Sequence, residues 1–463
     1  MEDFLGYHSE WNLGSPGGWD YQRTTQQIGK IVWEKLNRIR PIGVNLDFEH
    51  PLLYPVVGFT QMLIEAHRRR EGSTPGVVAV VAEEDTLTDV TENINLAHRL
   101  NAVDGITGVL TAPHELELRN GRVRFRGQHV SLIFMDFNTD VLLDLHRKQN
   151  LAPLMQAVRE NRVINPRGTE PINVKSMFEV LTGPHRSRFH PEIVKRTPWT
   201  RQFYARKTEG PRGEEIDDLL EWTRANWDTL VLKPERGYSG KGVRVGGVNK
   251  DVDEAIDLAL KEENYIVQEK IPLEFWAEEN PELDPTERRV VIARYQTDFR
   301  CLMGPAVVFG FLCRFGGVPT NVGSGGGVQP LGVLRSPISI KEAVARINRA
   351  LLESKYDDLL EVVDTQKAMA LEEKFTYLLG PIKITLRPRV ITTGQIEALK
   401  AYCAAIWADC LTLEKMWFSG ELDDIIKIEA EELEIARSQP WRGSEAIIAS
   451  DGLFNFGAHV EPS

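Results

Sequence analysis

Residues 229–247 read TLVLKPERGYSGKGVRVGG, and they decide the fold more than any other part of the chain. A strand-like apolar run ends at Lys233; the loop after it carries Gly237, Gly240 and Gly242, and a second strand-like run follows. Glycine lets backbone N–H groups turn toward an anion, and a neighbouring lysine supplies a point charge. The turn joins strand to strand, unlike the strand-to-helix phosphate loop. The pattern favours a flap over a triphosphate, although a glycine-rich hairpin without a ligand would look the same.

The bulk properties of the chain exclude several classes of protein. Its 463 residues, 42% hydrophobic and 26% charged, predict two or three domains, since cores seldom grow beyond ~250–300 residues. A net charge of −12 argues against a nucleic-acid surface. No apolar run approaches the ~20 residues that cross a bilayer, and the N-terminus lacks the regions of a secretory signal. We expect a cytoplasmic protein without nucleic-acid or membrane partners.

Four cysteines have neither zinc-ligand spacing nor the density of a disulfide framework: Cys301, Cys313, Cys403 and Cys410. A reducing cytoplasm fits this usage best. We interpret all four as core fillers rather than redox groups, because they fall on an apolar helical stripe or in strand-like runs.

Composition and periodicity divide the chain into four parts. Residues 1–40 form an N-terminal extension, residues 41–165 a Rossmann-like α/β domain, residues 166–335 a strand-rich core, and residues 336–463 a mainly helical region. The helical region shows apolar residues at helical spacing from Ile396 onward. It could serve as an interface with a second copy or another polypeptide, or as a lid.

Three patterns support the α/β domain. The runs VVAVVA (77–82) and VSLIFM (130–135) are too apolar for half-exposed strands, so we expect them to be buried on both faces. Asn120-Gly121 between LELR and RVRFR predicts a hairpin. The domain has no Gly-x-Gly-x-x-Gly, so we expect no dinucleotide there.

The strand-rich core carries further polar features that suit a nucleotide. In the core we predict a helix over 251–263, then strands over 265–268, 289–295, 299–303 and 306–314. Lys175 could neutralise a triphosphate from a second side, although a solvated helix lysine is the alternative. The run YIVQEK ends in groups that can meet an adenine edge, and Glu269 or Glu274 could accept ribose hydroxyls or lie on the surface. The predicted nucleotide-binding residues are Lys175, Lys233, Gly237, Tyr238, Ser239, Gly240, Gly242, Gln268, Glu269, Lys270, Ile271 and Glu274.

Two later motifs suit the transferred group. Arg300, in DFR, and Arg314 could stabilise charge at a transferring phosphoryl group, unless Asp298 merely pairs with an arginine on a sheet surface. The run TNVGSGGG (320–327) could cradle a carboxylate or an acyl phosphate, and a linker is the alternative. The predicted catalytic residues are Arg300, Arg314 and Asn321, and the predicted substrate-binding residues are Gly325, Gly326 and Gly327.

The order Lys175, KPERGYSGKG, IVQEKI, DFR and NVGSGGG resembles the ATP-grasp superfamily. More narrowly it is similar to the circularly permuted ATP-grasp proteins related to glutathionylspermidine synthase, over roughly residues 75–335. The resemblance implies a two-subdomain, α+β ATP-grasp core behind the Rossmann-like domain, with ATP and Mg²⁺ as cofactors. It also implies a ligase: a carboxylate attacks the γ-phosphate, and an amine displaces phosphate from the acyl phosphate to give an amide. The partners are then a small-molecule or peptide carboxylate and an amine.

The chain departs from this family in two places. Met135 and Asp136 stand where the family has an Arg-Arg pair. The family's metal site is an Asp plus a Glu-x-Asn pair ahead of the α/β segment. The predicted metal ligands here are Asn45, Asp47 and Glu49, expected on one strand face, with Asp298 as a further ligand. An ordinary polar strand end is the alternative, and both departures favour a rival function: a non-catalytic ATP-binding or scaffold protein with a degenerate site.

Overall fold

The protein is an α/β molecule whose computed structural model describes residues 4–237, 241–272, 277–317, 326–377 and 380–458. Six predicted site residues lie outside these ranges: Tyr238, Ser239, Gly240, Glu274, Asn321 and Gly325. The described helices are α1 (Tyr21–Ile39), α2 (Pro55–Glu71), α3 (Thr91–Asn101), α4 (Thr139–Lys148), α5 (Ala152–Arg159), α6 (Met177–Thr182), α7 (Pro191–Lys195), α8 (Leu219–Ala225), α9 (Val252–Glu262), α10 (Ile340–Leu352), α11 (Tyr356–Glu372), α12 (Thr393–Phe418) and α13 (Ala430–Ser438).

The described strands form several sheets. They are β1 (Leu5–Asn12), β2 (Leu46–Asp47), β3 (Gly76–Val81), β4 (Ile106–Thr111), β5 (Leu116–Arg119), β6 (Arg122–Phe125), β7 (Gln128–Met135), β8 (Val163–Ile164), β9 (Thr200–Gln202), β10 (Thr208–Glu209), β11 (Glu215–Ile216), β12 (Leu230–Pro234), β13 (Arg244–Val245), β14 (Tyr265–Glu269), β15 (Ala277–Asp284), β16 (Arg289–Gly304), β17 (Val307–Gly316), β18 (Gly327–Gln329), β19 (Leu331–Leu334), β20 (Thr376–Tyr377), β21 (Gly380–Pro381), β22 (Lys383–Ile384), β23 (Arg389–Ile391) and β24 (Ile448–Asn455).

The Rossmann-like sheet contains parallel strands in the order β4-β3-β7-β8, extended by the β5–β6 hairpin beside β7. Every residue of β3 is buried, which confirms that the VVAVVA run is covered on both faces. Asn120 and Gly121 both have positive φ (52° and 70°), as an Asn-Gly hairpin requires.

A smaller antiparallel sheet, with strands in the order β13-β12-β14-β9, carries the glycine loop; we call it the nucleotide sheet. Apolar side chains of β12 and β14, among them Leu230, Leu232 and Val267, share a core with Ala255 and Ile256 of α9. This burial on one face fixes the strand register. Because the strands are antiparallel, Lys233 lies opposite Ile266 and diagonal to Gln268, on the other face of the sheet from this core.

The third sheet, which we call the large sheet, has the order β1-β24-β16-β17-β18-β22, with β15 beside β16. Here the sequence analysis was wrong in one respect: the runs 289–295 and 299–303 belong to the single strand β16. The polar residues Thr297 and Asp298 that suggested a break are themselves buried in the sheet. Strands β1, β15 and β24 were not predicted.

The long helix α12 confirms the helical periodicity of the C-terminal region. All four cysteines are buried, as expected of core residues. The division of the chain into four parts stays a prediction, although β1 and β24, from the first and last of those parts, pair with each other within the large sheet. Among the described residues, no helix is long and apolar enough to span a membrane.

Candidate nucleotide site

Lys175 and Lys233 face the same space beside the glycine loop. Lys175 Nζ donates to the carbonyl oxygen of Gly237 at 3.0 Å and lies 3.1 Å from Glu10 Oε1. Lys233 Nζ donates to Gln268 Oε1 at 2.7 Å. Burial lowers the pKa of Lys233 to about 8; the Glu10 carboxylate opposes this, and the Lys175 ammonium adds to it. The backbone N–H of Lys175 donates to the carbonyl oxygen of Glu235 at 3.0 Å, so Lys175 lies beside the segment that carries Lys233, and we call the two side chains the lysine end of the site.

The strand beside Lys233 carries Gln268 and Glu269, two of the residues predicted to bind a nucleotide. Gln268 is buried, and its Nε2 donates to Thr200 Oγ1 at 2.9 Å, which fixes the amide that Lys233 contacts. Burial raises the pKa of Glu269. Ile271 is also buried, and Lys270 Nζ donates to the backbone carbonyls of Asp228, just before β12, and Gly246, just after β13.

One glycine of the loop is required by close packing. Gly242 has φ +75°, and a Cβ there would lie 2.7 Å from the hydroxyl of Tyr265. That hydroxyl donates to the Gly242 carbonyl at 3.2 Å. The returning limb of the loop is therefore held against β14 in a conformation that favours glycine.

Arg300 and Arg314 lie on the large sheet and converge on two carboxylates. Arg300 contacts both oxygens of Asp451, at 2.5 Å from Nε and 2.6 Å from Nη2. Arg314 donates to Asp298 at 2.8 Å and to Asp451 at 3.0 Å. Burial alone would raise the pKa of Asp451, but the two guanidinium groups hold it at about 2. We call these four side chains the arginine end.

The sequence analysis found three members of the arginine end and missed Asp451. Asp298 does pair with an arginine, as the alternative interpretation held. Asp451 belongs to β24, which lies between β1 and β16, so Arg300 and Asp451 are directly opposite in the ladder. Because Asp451 follows Arg300 by 151 residues in a region predicted to be mainly helical, no local pattern linked the two.

Glu10 connects the lysine end to the arginine end. It lies directly opposite Asp451 in the β1–β24 pairing, so both side chains are on one face of the large sheet. The resulting charged row consists of Lys233, Lys175, Glu10, Asp451 and Arg300. It runs from the nucleotide sheet to the large sheet.

The strand β1 also contains a Glu-x-Asn motif that the sequence analysis missed. Glu10 and Asn12 are two residues apart on a strand and therefore share a face. The motif could have been found, since it is the pattern that the resemblance led us to expect. It was sought closer to the α/β segment, and β1 lies near the start of the chain.

The predicted metal ligands near residue 47 do not lie on one strand face, so that expectation is wrong. Strand β2 spans only Leu46–Asp47, and Asp47 accepts the backbone N–H of Glu49 at 2.7 Å, which makes a turn. Asp47 pairs with Arg335 and Glu49 with Lys30, each at 2.6 Å, while Asn45 bonds to Arg335 and Ser336 through its backbone. Within the described ranges, no three His, Cys, Asp or Glu side chains are grouped to hold a metal ion.

The position that departs from the family's Arg-Arg pair has a structural role. Asp136 is half-buried, and it accepts hydrogen bonds from Ser15 Oγ and Asn93 Nδ2, each at 2.6 Å. Burial raises the pKa of this carboxyl. Asp136 thereby ties the Gly-rich turn at residues 14–18 to the end of β7, and it brings no positive charge to the site.

The second glycine run is described only at its end. Gly326 is buried, and Gly327 belongs to β18, between β17 and β22. A Cβ at Gly327 would lie 2.4 Å from the carbonyl oxygen of Lys383, so strand packing already accounts for this glycine. The anion cradle stays a prediction.

Comparisons with known proteins give fold likenesses at low identity. No protein-family model matches the chain, and no curated protein sequence matches it. The crystal structure of the macrocyclase MdnC from Microcystis aeruginosa MRC, bound with the precursor peptide MdnA, aligns at 10% identity and a TM-score of 0.30 over 62% of this chain and 83% of that one. The VanG D-Ala:D-Ser ligase from Enterococcus faecalis aligns at 11% identity and a TM-score of 0.25 over 60% and 83%. At such TM-scores neither likeness carries an argument, so function must be argued from the side chains.

Proposed function

We propose that the protein is an ATP-dependent ligase with an ATP-grasp-like site that joins a carboxylate to an amine. The observation that carries the proposal is the convergence of Lys175 and Lys233 beside the glycine loop. Two ammonium groups and the backbone N–H groups of a glycine loop are the groups that hold a triphosphate. The two lysines are far apart in the chain, and a solvated helix lysine would have no reason to meet Lys233.

The chemistry proposed is positioning and charge stabilisation. A carboxylate oxygen of the acceptor attacks the γ-phosphorus, the bond to ADP breaks, and an acyl phosphate forms. The amine nitrogen then attacks the carbonyl carbon, loses a proton, and phosphate leaves with the former acyl oxygen. Lys175 and Lys233 would hold the phosphates, and Arg300 and Arg314 would stabilise charge on the transferred group once they exchange their carboxylate partners.

The residues of β1 and β24 suit Mg²⁺, which would neutralise phosphate charge when bound with the nucleotide. Mg²⁺ takes one or two carboxylates together with substrate phosphates and keeps several waters. Glu10, Asn12 and Asp451 supply two carboxylates and an amide on one face of the large sheet. This set fits the ion better than Asp47 and Glu49 do, because it lies next to the lysine end.

The ligase proposal is tested by product release. Purified protein with ATP and Mg²⁺ is offered a panel of amino acids, peptides and polyamines, and ADP and phosphate are measured. We expect release that requires a carboxylate and an amine together and that is lost when Lys175 and Lys233 are replaced by methionine. If ATP binds and no pair of substrates provokes release, the protein is not a ligase of this kind.

A second candidate is a nucleotide-binding protein without ligase activity. It is favoured because Asp298 and Asp451 already form ion pairs with the arginines, so these arginines are not free to bind a phosphoryl group. Calorimetric titration of ATP with and without Mg²⁺ separates the two candidates. A ligase should bind ATP more tightly with Mg²⁺, whereas a protein that cannot release these carboxylates should bind ATP equally in both conditions.

A further inference from the structure

The entry to the glycine loop is anchored to a helix outside the nucleotide sheet. Arg236 is the residue before Gly237. Its guanidinium group donates two hydrogen bonds to Glu432 of α13, at 3.0 Å from Nη1 to Oε1 and 2.7 Å from Nη2 to Oε2. The next carbonyl along the chain, that of Gly237, accepts from Lys175. The chain is thus fixed on two successive residues at the point where it leaves β12 for the loop.

The two members of this pair differ in exposure. The side chain of Glu432 is 4% exposed and that of Arg236 is 37% exposed. A buried carboxylate needs a cation, and the planar fork of arginine satisfies both of its oxygens at once. Helix α13 itself packs against residues Arg167–Ile172 and the helices α4 and α5 of the Rossmann-like sheet. Glu432 is therefore held in place by packing outside the nucleotide sheet, and Arg236 attaches the start of the glycine loop to it.

We propose that Glu432 is a positioning residue for the nucleotide site, acting through Arg236 on the neighbouring Gly237 carbonyl that holds the Lys175 ammonium. The inference rests on the proposed function, since the position of the Lys175 ammonium affects binding only if Lys175 holds phosphate. The physical reason is preorganisation: an ammonium group whose hydrogen-bond acceptor is already fixed loses less freedom when it meets a ligand. Glu432 is not placed among the groups that would contact the nucleotide.

The test compares Glu432→Gln with Glu431→Gln. Glu431 is the adjacent residue on α13, and it makes an exposed ion pair with Arg147 at 3.1 Å. We expect E432Q to raise the Kd for ATP about tenfold, by calorimetry, and E431Q to leave it unchanged. In the ligase assay, the KM for ATP should rise in E432Q while kcat at saturating ATP stays the same. The charge-reversed double variant R236E/E432R should recover part of the lost affinity, because it restores the ion pair through which Glu432 acts.

Each outcome decides the inference. Should E432Q fail to fold, Arg236→Gln removes the same contact from its more exposed side, and the same rise in Kd is expected. Equal ATP binding by the wild type and by the folded variant would overturn the inference and leave the proposed function standing. Failure of the wild type to bind ATP would overturn both.

Discussion

The lysine end and the arginine end of the charged row hold their cations in opposite ways. Lys233 is bound by a neutral amide, and Lys175 by a backbone carbonyl and the half-exposed Glu10. At the arginine end, both oxygens of Asp451 are used by guanidinium groups. Lys233, held by a neutral amide, keeps its charge for an incoming anion, whereas a guanidinium group already paired with a buried carboxylate must first give up its partner. A buried cationic side chain is therefore not enough to identify a phosphate site. Whether the side chain can bind phosphate depends on the groups that it already contacts.

The largest effect should come from breaking the arginine end. Asp451→Asn removes the carboxylate that Arg300 and Arg314 share. Arg314 keeps Asp298, but Arg300 loses its ion pair in a buried site, and breaking such a pair costs about 3 kcal/mol of unfolding free energy. Chemical denaturation measures it. The control is Asp357→Asn, which removes an exposed partner of Arg288 and should cost about 0.5 kcal/mol or less. Equal losses in the two variants would show that the arginine end is no tighter than a surface pair.

At the lysine end the effect should appear in binding, not in folding. Lys233→Met removes a charge-assisted hydrogen bond to phosphate and should weaken ATP binding about 100-fold, near 2.7 kcal/mol. The unfolding free energy should not fall, because the variant no longer buries an ammonium group. Calorimetry and denaturation of the same sample check both, with the exposed Lys207→Met as the control. Undiminished ATP binding by K233M would remove the lysine end from the site.

The lowered pKa of Lys233 predicts a pH dependence that the arginine end should not share. In the folded protein its pKa is about 8, below the ordinary lysine value of 10.5, so between these pH values the unfolded chain binds more protons. Stability should therefore rise with pH across this window. ATP binding should instead fall about tenfold from pH 7 to pH 9, as the ammonium is lost. The K233M variant should lose the part of this pH dependence that Lys233 contributes.

The smallest effect should separate the two possible metal sites. Glu10→Gln should abolish the tightening of ATP binding by Mg²⁺, and without Mg²⁺ it should change binding by only about 0.5 kcal/mol, as expected for a half-exposed ion pair. Glu49→Gln, the ligand first predicted from sequence, is the matched control and should retain the full Mg²⁺ effect. The reverse result would place the ion near β2.

The elements of this site differ in how far the sequence could predict them. The glycine loop, β3 and the Asn-Gly hairpin were predictable because a few adjacent residues determine each of them. Lys175 and Lys233 were placed together only through the order of motifs. Their contacts with Gly237 and Gln268 depend on tertiary packing, which cannot be read from the spacing of motifs along the sequence.

The arginine end shows why the remainder could not be predicted. Asp451 joins it, and Glu10 lies beside Asp451, through pairing between strands that are far apart in the chain. The mixed apolar and polar sequence of β24 does not show the pattern of a strand. Buried polar residues such as Thr297 interrupt the alternation of apolar and polar residues by which a strand is recognised in a sequence. They can be buried because their side chains form hydrogen bonds inside the protein. Long-range ladder contacts of this kind carry no local signal.

The insertion of β24 between β1 and β16 also has a consequence for the newborn chain. Strand β1 is synthesised long before its neighbour β24, so the edges of β1 and β16 that pair with β24 stay open until residues 448–455 emerge from the ribosome. Open edges invite wrong pairing, and closing so long a loop is slow. We therefore expect the emergence of β24, rather than assembly of the Rossmann-like sheet, to determine when folded protein appears.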